Sequence, residues 1–302
     1  MSTPIVGIIG LGAMGMGVAR SLLRAGFTVH ACDVRAEARA AIAAAGGVPH
    51  ASPADAGRAA TVLITLVVNA EQTERVLFGP GGAVETLAPG SVVIASATVP
   101  PEFAVALSKR LAERGLLMLD APVSGGAAKA AQGQMTVMAS GPAEVFAQAR
   151  PVLDAIAAKV YELGDAAGPG STAKMVNQLL AGVHIAAAAE AMALGIRAGA
   201  DPAQLFEVIS NSAGSSWMFQ NRVPHILAGD YTPLSAVNIF VKDLGMVSDA
   251  ARKMMFPVPV TSAALQMFVA ASAAGHGGED DSAVIKAYAA LTGIALPAPK
   301  ES

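Results

Sequence analysis

The stretch at residues 4–33, PIVGIIGLGAMGMGVARSLLRAGFTVHACD, decides how the chain is organised. Ile5, Val6, Ile8 and Ile9 make a short β-branched apolar run, the composition of a strand buried on both faces. It stops at Gly10-Leu11-Gly12-Ala13-Met14-Gly15, a G-x-G-x-x-G loop. Met14, Val18, Leu22 and Leu23 then recur at helical spacing as far as Gly26, and a second apolar strand, 27–32, ends on Asp33. The three glycines have separate mechanical roles. Gly10 permits a tight turn, Gly12 lets backbone approach a pyrophosphate, and Gly15 lets helix and strand pack closely. Free N–H groups at the helix N-terminus face the phosphates, and Asp33 accepts hydrogen bonds from the adenosine ribose hydroxyls. A G-x-G-x-x-G alone recurs by chance in a glycine-rich chain. Strand, loop, helix, strand and terminal acid in that order read as a dinucleotide site.

Outward from this unit the alternation continues. An alanine-rich helix is expected at 35–45. Arg35 is placed either to meet a 2′-phosphate or to sit solvated on that helix. Because Asp33 repels such a phosphate, NAD is the expected cofactor, with some tolerance of NADP. Residues 61–68, TVLITLVV, are a further buried strand, and Val67, Val68 and Asn69 at its end are expected to line the crevice at the carboxyl edge of the sheet. Another strand, 91–95, leads into Ser96-Ala97-Thr98-Val99-Pro100-Pro101. Thr98 is set to touch the nicotinamide half of the cofactor, to cap the helix that the prolines open, or both. A strand at 116–119 runs into Asp120-Ala121-Pro122-Val123-Ser124-Gly125-Gly126. Ser124 offers a hydroxyl, and Gly125 and Gly126 offer unscreened N–H groups, which suits a small carboxylate; a polar glycine turn without a ligand has the same composition. Strands at 134–139 and 159–163, with a helix at 142–157 between them, complete this part.

At Gly164 strands give way to helices only. Gly168-Pro169-Gly170-Ser171 opens a helical run, 172–198, which at 1.5 Å per residue spans roughly 40 Å, enough to join two domains. Further helices are expected from Asp201-Pro202 onward and at 217–227, 235–255, 261–274 and 282–291, the last capped by Asp281-Ser282. The expected fold is a Rossmann-type α/β domain with a doubly wound, mostly parallel sheet over 1–164, then an all-α domain over 165–302, joined by the long helix.

Composition narrows the partners. Of 302 residues, 53% are hydrophobic and 14% charged, so many helices are buried against each other or across a subunit interface. A net charge of −3 without a long basic run argues against nucleic acid or an anionic membrane. Cys32 is the only cysteine, which excludes an intrachain disulfide and a multi-thiolate zinc site; it is expected as a small buried apolar residue. The apolar N-terminus lacks the basic region of a signal peptide. The apolar run 179–196 contains His184 and Glu190, and a charge in mid-membrane is costly. A soluble, cytoplasmic protein is expected.

A dinucleotide implies redox chemistry or sensing, and redox chemistry needs a proton donor or acceptor beside the nicotinamide. No Tyr-x-x-x-Lys occurs, and His30, His50, His184, His225 and His276 are scattered. Metal-ligand spacing is absent, so no metal is expected. Lys174 remains, in Gly170-Ser171-Thr172-Ala173-Lys174-Met175-Val176-Asn177-Gln178, with Asn177 and Gln178 on its face at i+3 and i+4. Helical pattern alone more often makes such a lysine a surface charge. Semi-buried near a second cation such as Lys242, it loses much of its pKa and serves as a general acid or base near neutrality.

With these motifs the chain resembles the β-hydroxyacid dehydrogenase family over essentially its whole length. The resemblance rests on Gly10-x-Gly12-x-x-Gly15, on Asp120 through Gly126, on Gly170-Ser171 through Lys174 to Asn177, on Lys242-Asp243 and on Asp281-Ser282-Ala283. It implies NAD-dependent oxidation of a small hydroxy acid. Lys174 is then the catalytic acid/base, Ser124, Gly125 and Gly126 hold the substrate carboxylate, Asn177 contacts the substrate, and Lys242 lies against cofactor and substrate. It also implies a homodimer or homotetramer built through the long helix. Leu66-Val67-Val68-Asn69-Ala70, residues 179–185, Ser216-Trp217-Met218-Phe219 and Asp230-Tyr231-Thr232-Pro233 narrow the resemblance to members acting on a four-carbon sugar acid. The alternatives are 3-hydroxyisobutyrate or D-glycerate as substrate, and a non-catalytic NAD(H) sensor. The family's usual Ser-Thr-Val segment reads Ser96-Ala97-Thr98-Val99 here.

Overall fold

The computed structural model describes residues 4–298; the outermost ends of the two expected domains, at 1 and 302, lie outside them. Two compact units part between Lys174 and Met175.

The first unit is built on six parallel strands: β1 (Ile5–Ile9), β2 (Thr28–Cys32), β3 (Val48–His50), β4 (Val62–Thr65), β5 (Val92–Ala95) and β6 (Leu117–Asp120), in the order β3-β2-β1-β4-β5-β6. Ile9 stands opposite both Cys32 and Thr65, so three strands end level where the order reverses, between β1 and β4. Such a switch point is where open α/β sheets leave a crevice for ligands. Alternate side chains go to opposite faces. Ile8, Ile64, Ile94 and Leu119 join Val18 and Leu22 in one core. Ile9, Leu63, Val93 and Met118 join Leu77, Leu107 and Leu111 in the other. Each of these fully buried side chains contributes roughly 1.5–3 kcal/mol by leaving water. A small second sheet follows, of β7 (Val123–Ser124), β8 (Met135–Ala139) and β9 (Ala157–Glu162); β7 runs antiparallel to β8, and β8 parallel to β9.

The sequence pattern did not mark β3. It is three residues long, carries Pro49 and lies at the sheet edge, the one place where a strand tolerates a missing N–H.

The second unit is helical. The helix Pro169–Arg197 runs into it from the first unit and starts three residues before the sequence pattern suggests. Among the described residues it is the one helix long and apolar enough to cross a membrane. Its Ile185, Ala189 and Met192 lie instead in the core of the second unit, with Phe219, Val223, Ile226, Leu244 and Ile285. Phe240 and Phe268 stack there with ring centroids 5.3 Å apart. The helix Val237–Lys253 begins where Val237 N donates to Glu279 O and Asn238 N to Gly277 O. The last helix differs from the expected cap. Asp280, not Asp281, accepts from Ser282 N and Oγ, at 3.1 and 2.6 Å, and opens a 3-10 turn at Asp281–Val284 before Ile285–Thr292. Asp281 is taken up by a buried ion pair with Arg222, at 2.5 and 3.1 Å.

Candidate active site

The glycine loop leaves β1 with Gly10 N donating to Cys32 O at 2.9 Å. A Cβ on Gly10 would meet Leu66 O at 2.5 Å, and one on Gly15 would meet Gly10 O at 1.9 Å, so both positions are closed to side chains by the protein itself. Gly12 differs: a Cβ there meets nothing within 4 Å. The helix Ala13–Arg24 that follows has Gly12 at its N-cap, no capping side chain and no acid in its first turn. Uncapped N–H groups above open space fit a pyrophosphate.

Asp33 is fixed beside this loop. Its Oδ2 accepts from Leu11 N at 2.7 Å, and its Oδ1 from Arg35 N at 2.9 Å and Arg35 Nε at 3.0 Å. Burial pushes its carboxyl up, but the hydrogen bonds of Arg35 and Leu11 outweigh that and hold it below the ordinary carboxylate value. Each carboxylate oxygen accepts more than one bond, so capacity for ribose hydroxyls remains. Arg35 also donates to Leu11 O at 2.9 Å, and Arg39 to Asp33 O at 2.7 Å. Arg35 is thus paired with the acid rather than simply solvated.

Leu66 O lies against Gly10, with Val67 next to it. Val68 N donates to Gln72 Oε1, and Asn69 Oδ1 accepts from Gln72 N at 2.8 Å, which makes Asn69 the cap of the helix Ala70–Phe78. Thr98 follows β5 as half-buried. The helix Pro101–Ala112 that follows has Pro100 at its N-cap position. Ser124 ends β7, and Gly125 and Gly126 follow at φ values of 130° and 73°, a turn that side-chain-bearing residues rarely adopt.

Lys174 is 7% exposed, in keeping with the semi-buried alternative. The device that places it was only half visible in the sequence. Asp120, at the end of β6, reaches the start of the long helix and accepts from Gly168 N (2.9 Å), Ser171 N (2.8 Å) and Ser171 Oγ (2.6 Å). Ser140 Oγ takes Gly170 N at 3.0 Å. The first N–H groups of a helix need acceptors; here Gly170 N and Ser171 N find them in Ser140 and Asp120, at the ends of the strands β8 and β6, and Thr172 N in Gly168 O. This satisfies the helix start and explains why it begins at Pro169.

Three residues beyond Lys174, in the second unit, Asn177 Nδ2 donates to Gln178 Oε1 at 3.0 Å. Gln178 Nε2 donates to Asp243 Oδ2 at 2.6 Å, and Lys242 Nζ pairs with Asp243 Oδ1 at 2.7 Å. The structure therefore brings Asn177 and Lys242 into one polar chain. The sequence placed Gln178 on the helix face beside Lys174 without showing its partner, because Asp243 is 65 positions away. Cys32 is buried, and burial followed by the neighbouring Asp33 pushes its thiol up to about 11. His30 and His50, far apart in sequence, stack on β2 and β3 with Nδ1 and Nε2 2.9 Å apart.

A switch-point sheet with an open glycine loop and an acid beside it defines a dinucleotide-binding dehydrogenase architecture followed by a helical unit. Comparison with known proteins gives the family. The profile described as the NAD binding domain of 6-phosphogluconate dehydrogenase matches residues 5–164. The profile described as NAD-binding of NADP-dependent 3-hydroxyisobutyrate dehydrogenase matches residues 168–288. An L-threonate dehydrogenase of Cupriavidus necator is 68% identical, over 98% of this chain and 99% of its own. That of Escherichia coli K12 is 52% identical, over 98% and 97%. A crystal structure described as 3-hydroxyisobutyrate dehydrogenase from Salmonella typhimurium aligns with a TM-score of 0.89 and 53% identity, over 93% of this chain and 98% of its own. The chain belongs to the 3-hydroxyisobutyrate dehydrogenase family. It is an NAD-binding hydroxyacid dehydrogenase.

Proposed function

We propose that the protein oxidises L-threonate to the corresponding 2-oxo acid. The observation that carries this reading is the 68% identity, over nearly the whole length of both chains, to the Cupriavidus necator L-threonate dehydrogenase. NAD, when bound, supplies the hydride acceptor. Asp33 takes the ribose hydroxyls, and Gly10, Leu11, Gly12, Ala13, Met14 and Gly15 take the pyrophosphate with backbone N–H groups. Val67, Val68, Asn69, Thr98 and Lys242 complete the cofactor contacts. Ser124, Gly125 and Gly126 hold the substrate carboxylate, and Asn177 orients the substrate. Neutral Lys174 accepts the hydroxyl proton as the C–H bond gives up its hydride; in reverse its ammonium stabilises the nascent alkoxide. Rates of NADH formation on L-threonate, D-glycerate and 3-hydroxyisobutyrate test the reading, which requires L-threonate to lead in kcat/KM. The Salmonella typhimurium structure's description favours 3-hydroxyisobutyrate as a second reading, and the same panel decides it.

The finer points of organisation belong to the same proposal. Residues 1–164 form the cofactor domain and 165–302 the substrate and oligomerisation domain. Arg35 gives NADP some affinity. Val176, Leu180 and Leu194 are exposed along the long helix and support a homodimer or homotetramer through that face. The single buried thiol and the relatives' metabolic role support a cytoplasmic location.

A further inference from the structure

The polar chain in the second unit has a direction. Asp243 is a carboxylate and can only accept. Its Oδ1 faces the Lys242 ammonium at 2.7 Å, so Oδ2 is the end that meets Gln178, at 2.6 Å. Gln178 must turn its nitrogen to that oxygen, which leaves Oε1 facing Asn177. Asn177 must in turn present Nδ2 to Gln178, at 3.0 Å, and so turns its carbonyl end, Oδ1, away from the chain. The amide orientations follow from a fixed acceptor at one end, although amide oxygen and nitrogen are nearly isosteric. Asp243 is 1% exposed and Gln178 8%, so bulk water does not readily substitute for either member.

We propose that Gln178 and Asp243 are positioning residues that set the polarity of Asn177, so that Asn177 meets the substrate as a hydrogen-bond acceptor. This rests on the reading of Asn177 as a substrate contact. An alcohol has an O–H to give such an acceptor, and a ketone has none. The relay therefore favours the hydroxy acid over its oxo product at this contact, and favours substrates rich in hydroxyl groups. The charged group that faces Gln178 from the helix Val237–Lys253 is Asp243, with Lys242 paired to it; in sequence, Lys174 lies one turn earlier on the helix that carries Gln178.

Two substitutions at Gln178 test this while leaving Lys242 and Asp243 in place. Gln178→Met fills the space without hydrogen bonding. Gln178→Glu keeps the relay only when protonated, because a neutral carboxyl gives its O–H to Asp243 and accepts from Asn177, whereas two opposed carboxylates repel. Binding of L-threonate to the protein loaded with NADH, which cannot turn over, is measured by calorimetry at about pH 5.5 and about pH 8. Gln178→Met is expected to bind about tenfold more weakly than the parent at both pH values, the loss of roughly one hydrogen bond. Gln178→Glu is expected to match the parent at the lower pH and to fall toward Gln178→Met at the higher one, so its acid-side recovery also reports correct folding. NADH affinity is expected to stay within twofold throughout. Parent-like binding by Gln178→Met, or a parent-like pH profile for Gln178→Glu, overturns the relay while the substrate reading stands. A parent protein that binds none of the hydroxy acids removes the substrate reading, and the relay with it.

Discussion

Asp120 and Ser171 are joined twice: Ser171 N donates to Asp120 Oδ2 at 2.8 Å and Ser171 Oγ to Oδ1 at 2.6 Å. Both residues are buried. The pair bolts the first turn of the long helix to the end of β6, three residues before Lys174. Asp120→Ala strips acceptors from buried N–H groups, at about 1–3 kcal/mol each. A melting temperature lowered by roughly 10 °C is expected. Ser171→Ala, which loses only the hydroxyl bond, should lose about a third of that. Calorimetric melting of the two variants checks the ratio.

Gly12 and Gly15 should fail in different ways. Gly15→Ala drives a Cβ into Gly10 O, while the same methyl on Gly12 meets no protein atom within 4 Å. The Gly15 variant is expected to lose stability by about 1–3 kcal/mol or more. The Gly12 variant should melt with the parent and still bind NAD about tenfold or more weakly, since its methyl occupies the space that the proposed cofactor site gives to the pyrophosphate. Denaturant melts beside NAD titrations separate the two effects.

Much of the fold was legible in the chain. Residues 4–33 carry the strand, loop, helix and acid as local pattern, and the buried strands announce themselves as unbroken apolar runs. What escaped depends on residues distant in sequence. Asp120 captures the helix start 48 and 51 positions on. Gln178 finds Asp243 across 65 positions, and Arg222 finds Asp281 across 59. No period or cap rule encodes such pairs. The short edge strand β3 fell below pattern detection because proline and exposure hide it.

Cofactor preference should rest on Asp33. Arg35 and Arg39 already flank it, and Arg35 is held by its carboxylate. Asp33→Ser removes the repulsion of a 2′-phosphate and releases Arg35 to meet it. The ratio of kcat/KM for NADP to that for NAD should rise by about tenfold or more. Because Arg35 and Leu11 hold the Asp33 carboxyl below its ordinary value, the parent's NAD affinity should stay level from about pH 8 down to about pH 5. Fluorescence titrations across that range check it.

His50 should make the fold sensitive to mild acid. Burial, and then the stacked His30, lower its pKa from the ordinary imidazole value. The native state therefore binds fewer protons than the unfolded chain in that region. Stability rises with pH through it and is lost as pH falls below about 6.5. The drop in melting temperature between about pH 7.5 and about pH 5.5 should be smaller in His50→Gln than in the parent.

In the proposed mechanism proton movement depends on Lys174, and one comparison tests that most directly: steady-state oxidation of L-threonate by Lys174→Ala beside its NAD dissociation constant. A kcat lower by about 10²–10⁴, with NAD binding within twofold of the parent, is the predicted result. Turnover within tenfold of the parent would contradict it.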